Sequence, residues 1–380
     1  MIFTNKVTGA GDFTSFWETK TDSEILKTNF RNDNPEALPQ LLAALPEGAE
    51  VPELEFEYDT RQSTVGMVRC RHCKKNAANH NIGFVLRYQD GSRILVGKNC
   101  GEKQYGQAFT YRANHFRAAI KRSELLRRKL GLMTVRKELV AALDEIKAYE
   151  GWMIYRDSKR SFWQGMHHIL DLINTAVLKR DGVLTVESTF RDTEAEALVW
   201  TRTRKVSAPI YRTISTNIGV LAGREFFRGG ESPERIIPAL TQRMINAAFS
   251  IDEKDRNYDL EVLFRAMEGI VTEMREQAHR IGVMKEALSE ANMITLGRWL
   301  KAEQQGNYRV KDGKFYRHDG AGNVVFHRHA VYGTANRQNP VECDLPPPFA
   351  PVPDALIEQV ANLIRYTVDS ADVGGNKSGT

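Results

Sequence analysis

Cys70, Cys73 and Cys100 are three of the chain's four cysteines, and they fall in one short stretch with the spacing of a structural zinc site. Zinc takes thiolate and imidazole ligands in a tetrahedron, and a Cys-x-x-Cys turn delivers two thiolates from one tight knuckle. The chain must then leave and return. Phe84–Tyr88 and Arg93–Val96 each partly alternate apolar and polar residues, and Asp90-Gly91 between them is a strong hairpin signal. Gly97 and Gly101 flank Cys100, after which a helix is expected from Glu102. The positive end of that helix dipole favours the thiolate form of Cys100. Knuckle, hairpin and a cysteine at a helix N-terminus make the layout of a treble-clef finger.

The preferred fourth ligand is His80, at the start of the first hairpin arm. His72 lies inside the knuckle, where its side chain points away from the metal. His115 lies about four helical turns beyond Cys100, within reach only if the helix breaks. The usual second helix ligand, three residues after the first, would be Lys103, which cannot bind zinc. The competing account is three buried thiols. A disulfide is disfavoured because nothing in the sequence argues for an oxidising compartment. Cys343 reads as a lone thiol in a proline-rich stretch.

The string CRHC…FVLRYQDGSRILVGKNC resembles a small zinc module common in proteins of bacteriophages and mobile elements. The matching residues are Cys70, His72, Cys73, Val96, Gly97 and Cys100. The resemblance covers about residues 66–106 and implies zinc as the cofactor and a phage or mobile-element setting. The chain departs from that pattern after Cys100, where Gly101, Glu102, Lys103, Gln104 and Tyr105 replace a leucine and an acidic-aromatic pair.

The elements that must position these residues are read from composition and periodicity. Hydrophobic residues make up 42% and charged residues 27% of the 380, as in an ordinary globular protein with room for one to three cores. No apolar run approaches the roughly 18 residues of a membrane span. The N-terminus lacks the layout of a secretion signal, so a cytoplasmic protein without membrane contact is expected. Net charge is +5 but unevenly spread. Residues 1–60 carry 4 Lys and Arg against 12 Asp and Glu, and residues 61–137 carry 18 against 3. Such a basic block attracts a polyanion or is matched by an acidic surface.

The expected architecture is mainly α, a multi-helix body with a small β-hairpin zinc module near the N-terminus and a small β-meander near the C-terminus. Residues 1–60 form an acidic segment, 61–110 the zinc module, and 111–305 a helical body beginning with a basic helix. A meander follows at 306–334, a proline-rich connector and last helix at 335–369, and a disordered tail at 370–380. In the acidic segment Pro35–Leu45 suggests a short helix. Glu53–Tyr58 alternates like a strand, with Glu53, Glu55 and Glu57 on one face and Leu54, Phe56 and Tyr58 on the other. That acidic face could screen the basic block. Gly131 is expected to divide the helical stretch from Tyr111 to Tyr149. Further helices are expected at Ser161–Leu178, Thr193–Thr203, Ile210–Phe227, from Ser232-Pro233, at Tyr258–His279, Lys285–Gln304 and Asp354–Val368, with Gly182–Phe190 extended.

Arg112, Arg117, Lys121, Arg122, Arg127, Arg128 and Lys129 crowd the basic helix with Glu124 as the one acid among them. They are the candidate nucleic-acid contacts. Phosphate neutralisation would give salt-dependent, sequence-independent affinity, and arginine suits bidentate phosphate contacts. A solvated helix face, or one paired with the acidic N-terminus, has the same composition. His318, His327 and His329 alternate in the expected meander and could bind a second metal, although exposed strand residues look the same. His167 and His168 with Asp171 sit in an apolar helix and read as packing residues. Phosphate-loop, nucleophile-elbow and His-Glu-x-x-His signatures are absent, and no catalytic residue is identified. The reading is a zinc-stabilised, non-catalytic nucleic-acid-binding protein, for DNA or RNA. The alternatives are a protein partner docked by the zinc module and helical body, as in an inhibitor, and a metal-dependent nuclease.

Overall fold

A computed structural model of the protein describes residues 15–46, 50–61, 66–72, 79–205, 208–319, 321–329, 337–350 and 353–368, with the side chains at 98, 326–329 and 337–339 outside that description. Cys73 and the tail from Ser370 lie outside the described residues, as do the side chains of His327 and His329. The chain is mainly helical with several small antiparallel sheets, and it divides into two compact units.

The first unit comprises 1–136, 250–264 and 363–380. It holds α1 (Asp22–Lys27), β1 (Glu53–Asp59), β2 (Val68–Arg69), β3 (Asn79–His80), β4 (Ile82–Arg87), β5 (Arg93–Gly97) and α2 (Lys98–Thr134). Thr21 caps α1, its hydroxyl accepting from Glu24 N while Glu24 returns a bond to Thr21 N, a complete capping box. The expected helix at Pro35–Leu45 is only a 3-10 turn, Pro35–Ala37. The Asp90-Gly91 hairpin forms as expected, and β1, β4 and β5 make one antiparallel sheet in the order β1-β4-β5.

Register in that sheet corrects the simple alternation. Leu54 pairs with Leu86 and Phe56 with Val85, so Glu55 is an extra residue in a β-bulge. The bulge moves Phe56 and Tyr58 to the face opposite Leu54. Leu54, Phe84, Leu86, Ile94 and Val96 pack with Trp17, Phe30, Phe109 and Phe116 on one face, and Tyr58, Val68, Val85 and Leu95 pack on the other. A period-2 strand would have served one face only.

α2 begins at Lys98, four residues before the helix expected from Glu102, and it breaks at Gly106. There φ is 60° and ψ −135°, a conformation that L side chains rarely adopt. Gly131 does not break it; the helix runs on to Thr134. A Cβ on Gly131 would stand 2.3 Å from the Tyr366 carbonyl oxygen. The glycine is there because another stretch of backbone crosses the helix.

The second unit comprises 137–249 and 265–362. In chain order its elements are α3 (Arg136–Ala148), α4 (Gly151–Gly165), α5 (Leu170–Lys179), β6 (Val183–Arg191), α6 (Thr193–Thr203), β7 (Tyr211–Val220), α7 (Pro233–Ser250), α8 (Asn257–Ala287), α9 (Glu290–Ala302), β8 (Asn307–Lys311), β9 (Lys314–His318), β10 (Phe326–His329), β11 (Arg337–Pro340), β12 (Glu342–Asp344) and α10 (Asp354–Arg365). α3 and α7 overrun the unit boundary by one residue, and α8 and α10 extend into the first unit's sequence. The expected helix Ile210–Phe227 is instead the strand β7, followed by a 3-10 turn at Arg224–Phe227. Its Thr213, Ile214, Thr216 and Val220 are β-branched, and it pairs along its whole length with β6. The expected helix Ser161–Leu178 is broken at Met166, whose φ of −110° and ψ of 13° separate α4 from the turn His167–Ile169 and α5. The expected meander supplies β8 and β9, but the third strand of their sheet is β12, drawn from the proline-rich connector. Cys343 in β12 is fully buried, and burial pushes its thiol pKa up.

Two outcomes are expected. Gly131→Ala should destabilise the protein by about 1–3 kcal/mol through forced displacement of 366–367, whereas an open helix position would gain about 1 kcal/mol; denaturant unfolding reads the sign. Cys343 should resist alkylation in the native protein and react on unfolding, as mass-spectrometric peptide mapping would reveal.

Candidate metal centre and basic surface

The bulge at Glu55 brings Tyr58 to the face on which the knuckle folds. β2 pairs with β3, placing Val68 opposite His80, so the segment that enters the knuckle and the one that leaves it are hydrogen-bonded neighbours. Arg71 N donates to Leu95 O (3.0 Å) and Thr60 N to Asn81 O (2.8 Å), fixing the knuckle to β5 and to the start of β4. Cys70 is buried directly after β2. Cys100 lies in the first turn of α2, close behind the N-cap Gly97.

His80 is held from two sides. Its Nδ1 lies 3.1 Å from the Tyr58 hydroxyl, and the two rings stack with centroids 5.8 Å apart. Its other edge lies on Gly97, where a Cβ would stand 3.0 Å from His80 Cδ2. Burial lowers the imidazole pKa, favouring the neutral ring. His80 Nε2 is buried and has no hydrogen-bond partner among the described residues. Burial pushes the Tyr58 hydroxyl pKa up, and the charges of Cys70, Glu36 and Cys100 add to that shift. Cys70 of the knuckle and Cys100 of α2 therefore both act on the hydroxyl that His80 touches.

This arrangement suits a metal. If Nδ1 donates to Tyr58 Oη, the Nε2 lone pair is left for a ligand, the pattern by which a neighbour fixes the tautomer of a metal-bound histidine. Among the described residues no group of three His, Cys, Asp or Glu side chains is gathered closely enough to hold an ion, and Cys73 lies outside them. His115 takes no part, since its Nε2 meets Glu18 Oε1 at 2.9 Å. In the second unit His168 Nε2 meets the Tyr308 hydroxyl at 2.8 Å, and His318 Nδ1 lies 2.6 Å from Asp319 O.

The basic helix is used differently from the sequence expectation. Arg112 pairs with Glu53 (3.2 Å) and also donates to Val51 O. Arg122 meets Asp22 (2.5 Å), Asn257 and the Asp255 carbonyl. Arg127 reaches the Leu26 and Thr28 carbonyls at the end of α1, and Arg128 the Ile364 carbonyl at the end of α10. Cations suit those negative helix termini. Arg128 also covers the Phe264 ring at 4.1 Å. Lys129 donates to Lys254 O (2.8 Å) and Asp255 (3.1 Å). Lys121 is exposed but lies 2.5 Å from Glu261, so six of the seven candidate contacts point their charge at protein groups. Arg117 remains exposed.

The acids that neutralise the helix come from two distant stretches. Glu18, Asp22 and Glu53 belong to the acidic N-terminal segment, and Arg122 holds the Asp22 carboxyl below its ordinary pKa. Asp252, Asp255 and Glu261 come from the first unit's second stretch, 250–264. The contribution of 252–261 has no local sequence signal. Glu55 serves the sheet: Arg87 and Arg93 face each other across β4 and β5, and the Glu55 carboxylate sits 3.5 and 2.6 Å from them. A groove of about 600 Å³ beside β1 is lined by the pairs Lys20–Glu24, Arg87–Glu55 and Arg112–Glu53 together with Glu50, so its cations already have carboxylate partners. Compared with protein-family models, curated proteins and solved structures, the chain matches none.

Tyr58→Phe should destabilise the module by about 1–3 kcal/mol, because it removes the partner of a buried ring nitrogen. Denaturant unfolding followed by tryptophan fluorescence checks this, Trp17 being packed on the opposite face of the same sheet.

Proposed function

We propose that Cys70, Cys73, Cys100 and His80 bind one zinc ion, and that the zinc-held knuckle is a non-catalytic nucleic-acid contact. The observation that carries the metal reading is His80 Nε2, buried and without a hydrogen-bond partner among the described residues, beside the N-terminus of the helix that bears Cys100. An imidazole nitrogen left dry and unpaired costs free energy unless something takes its lone pair. Zinc at a thiolate-rich site would do so, and would join the knuckle, β3 and α2 in one tetrahedron.

The nucleic-acid reading rests on which cations are left over. Those of the basic helix mostly hold the first unit together, whereas Arg69, Lys74, Lys75, Lys98 and Lys103 cluster in sequence around the cysteines with Asp90 and Glu102 as the acids among them. Arg69 and Lys103 are exposed, as is Arg117 on α2. Such cations would neutralise phosphates and give salt-dependent affinity with little base specificity. The protein-docking alternative uses the same surface.

Elemental analysis should find about one zinc per chain, lost in Cys73→Ser and in His80→Ala and kept in Cys343→Ser. Structural zinc supplies roughly 10–16 kcal/mol of apparent binding energy in small finger peptides, so chelation should unfold the module. Binding to labelled DNA and RNA should fall steeply with salt. Replacing Arg69, Lys74, Lys75 and Lys103 with Glu should weaken it across sequences and lower the salt slope by about one for each phosphate no longer neutralised. Arg128 is unsuitable for such a test, since glutamate there would disrupt packing on Phe264. Metal-free native protein would remove the zinc reading. An unchanged salt slope in the glutamate variant would remove the knuckle as the contact.

A further inference from the structure

The arm β6–α6–β7 of the second unit is made with almost no apolar burial. Its base is anchored: Leu184 and Leu221 are buried, and Trp299 Nε1 donates to Thr185 O at 3.1 Å. Beyond that the ribbon stands clear, with Glu187–Arg191 and Tyr211–Asn217 all exposed. No residue of α6 is buried. A two-stranded ribbon is marginal by itself, and a helix gains most of its stability from packing an apolar face.

Polar contacts nevertheless give the arm a defined shape. Asp192 caps α6 by accepting from Ala195 N (2.9 Å), and its own N–H donates to Ile210 O (2.7 Å). Glu196 accepts from Arg191 Nε and from Ile210 N, both at 2.8 Å, tying the helix to both strands. The surface so displayed has a distinct chemistry. Phe190, Trp200 and Tyr211 are 44%, 49% and 64% exposed. From Ala197 to Val220 the chain holds Arg202, Arg204, Lys205 and Arg212 and no acid. Aromatics and cations come in pairs: the Arg204 guanidinium lies 4.8 Å from the Trp200 ring centroid, and Phe190 is directly opposite Arg212 across the ribbon, on the same face.

Aromatics with arginines also occur in protein interfaces, but four cations with no acid between Ala197 and Val220 suit a polyanion. Exposed rings beside cations fit single-stranded nucleic acid, whose bases offer stacking faces and whose phosphates need neutralising. A duplex hides those faces. We propose that this arm is a second nucleic-acid contact, a platform on which unpaired bases stack on Trp200 and Phe190 while Arg204, Arg212 and their neighbours meet phosphates. The inference rests on the nucleic-acid reading above, but on different residues.

The test uses the full chain, a labelled mixed-sequence single strand and the matching duplex, followed by fluorescence anisotropy. Phe190→Ala with Trp200→Ala should weaken single-strand binding about tenfold or more and leave duplex binding within about twofold. Trp200→Phe should keep most of the affinity. Arg204→Ser with Arg212→Ser should lower the salt slope. Because these side chains are exposed, the variants should unfold like the parent, which thermal denaturation checks. If the aromatic variant binds single strands normally while the knuckle glutamate variant loses binding, the arm inference is overturned and the knuckle reading stands. If the reverse is found, the arm is supported and the knuckle loses its role. If the parent is a dimer that the arm variants convert to monomer with no change in nucleic-acid affinity, the arm is a self-association surface and the inference is overturned.

Discussion

The first unit depends on one extra residue in a strand. The bulge at Glu55 splits β1 into a part that serves α2 and a part that serves the knuckle. Without it Leu54 and Tyr58 would share a face, since side chains in a strand alternate with a period of exactly two residues. With it Leu54 closes the aromatic core around Phe84 and Phe116, and Tyr58 reaches His80 on the far side. The displaced Glu55 has a use of its own, since its carboxylate separates two arginines that face each other across the hairpin. Like charges directly opposite would otherwise weaken that pairing.

A second constraint is charge. The basic helix is long, and its arginines have to end somewhere. The fold turns them to the C-termini of short helices and to carboxylates gathered from 18–53 and 252–261. Exposed ion pairs contribute little each, about 0–1 kcal/mol. Arg112, Arg122, Lys129 and Arg136 are more enclosed and meet several acceptors at once, so they act as spacers between elements as much as charges. A cation spent in this way has little left for a phosphate. The same acidic and basic blocks that suggest a polyanion site from composition thus account for much of the first unit's internal structure.

The second unit presents the opposite case. Its helices bury large side chains such as Phe162, Phe226 and Trp299, and its small sheet buries Phe315 and Cys343. The arm leaves that core after Leu184 and returns at Leu221. Between those residues local hydrogen bonds, rather than burial, set the shape. Structure kept at the expense of burial is commonly kept for contact with something else.

Much of this is legible in the residues themselves. The Asp-Gly hairpin, the cysteine at a helix start, the Ser-Pro helix start at Ser232 and the amphipathic pattern of α10 are local signals, set within a few residues by backbone geometry or by helical periodicity. His80 is expected at the head of the first hairpin arm, but the structure places it in β3, paired with β2 just before that arm. Other features depend on chain far away in sequence. The bulge at Glu55 exists because two faces need filling, one by α2 and one by the knuckle. Gly131 reads as a helix breaker until Tyr366 is found crossing it. β7 carries spacing that a helix could use, and only its partner β6 makes it a strand. The destinations of several basic side chains are decided by acids a hundred or more residues away, as for Arg122 with Asp22 and Lys129 with Asp255. Sequence determines what each residue can do over the length of a turn; the tertiary structure decides which residues meet, because burial and pairing are settled between segments that the chain does not place side by side.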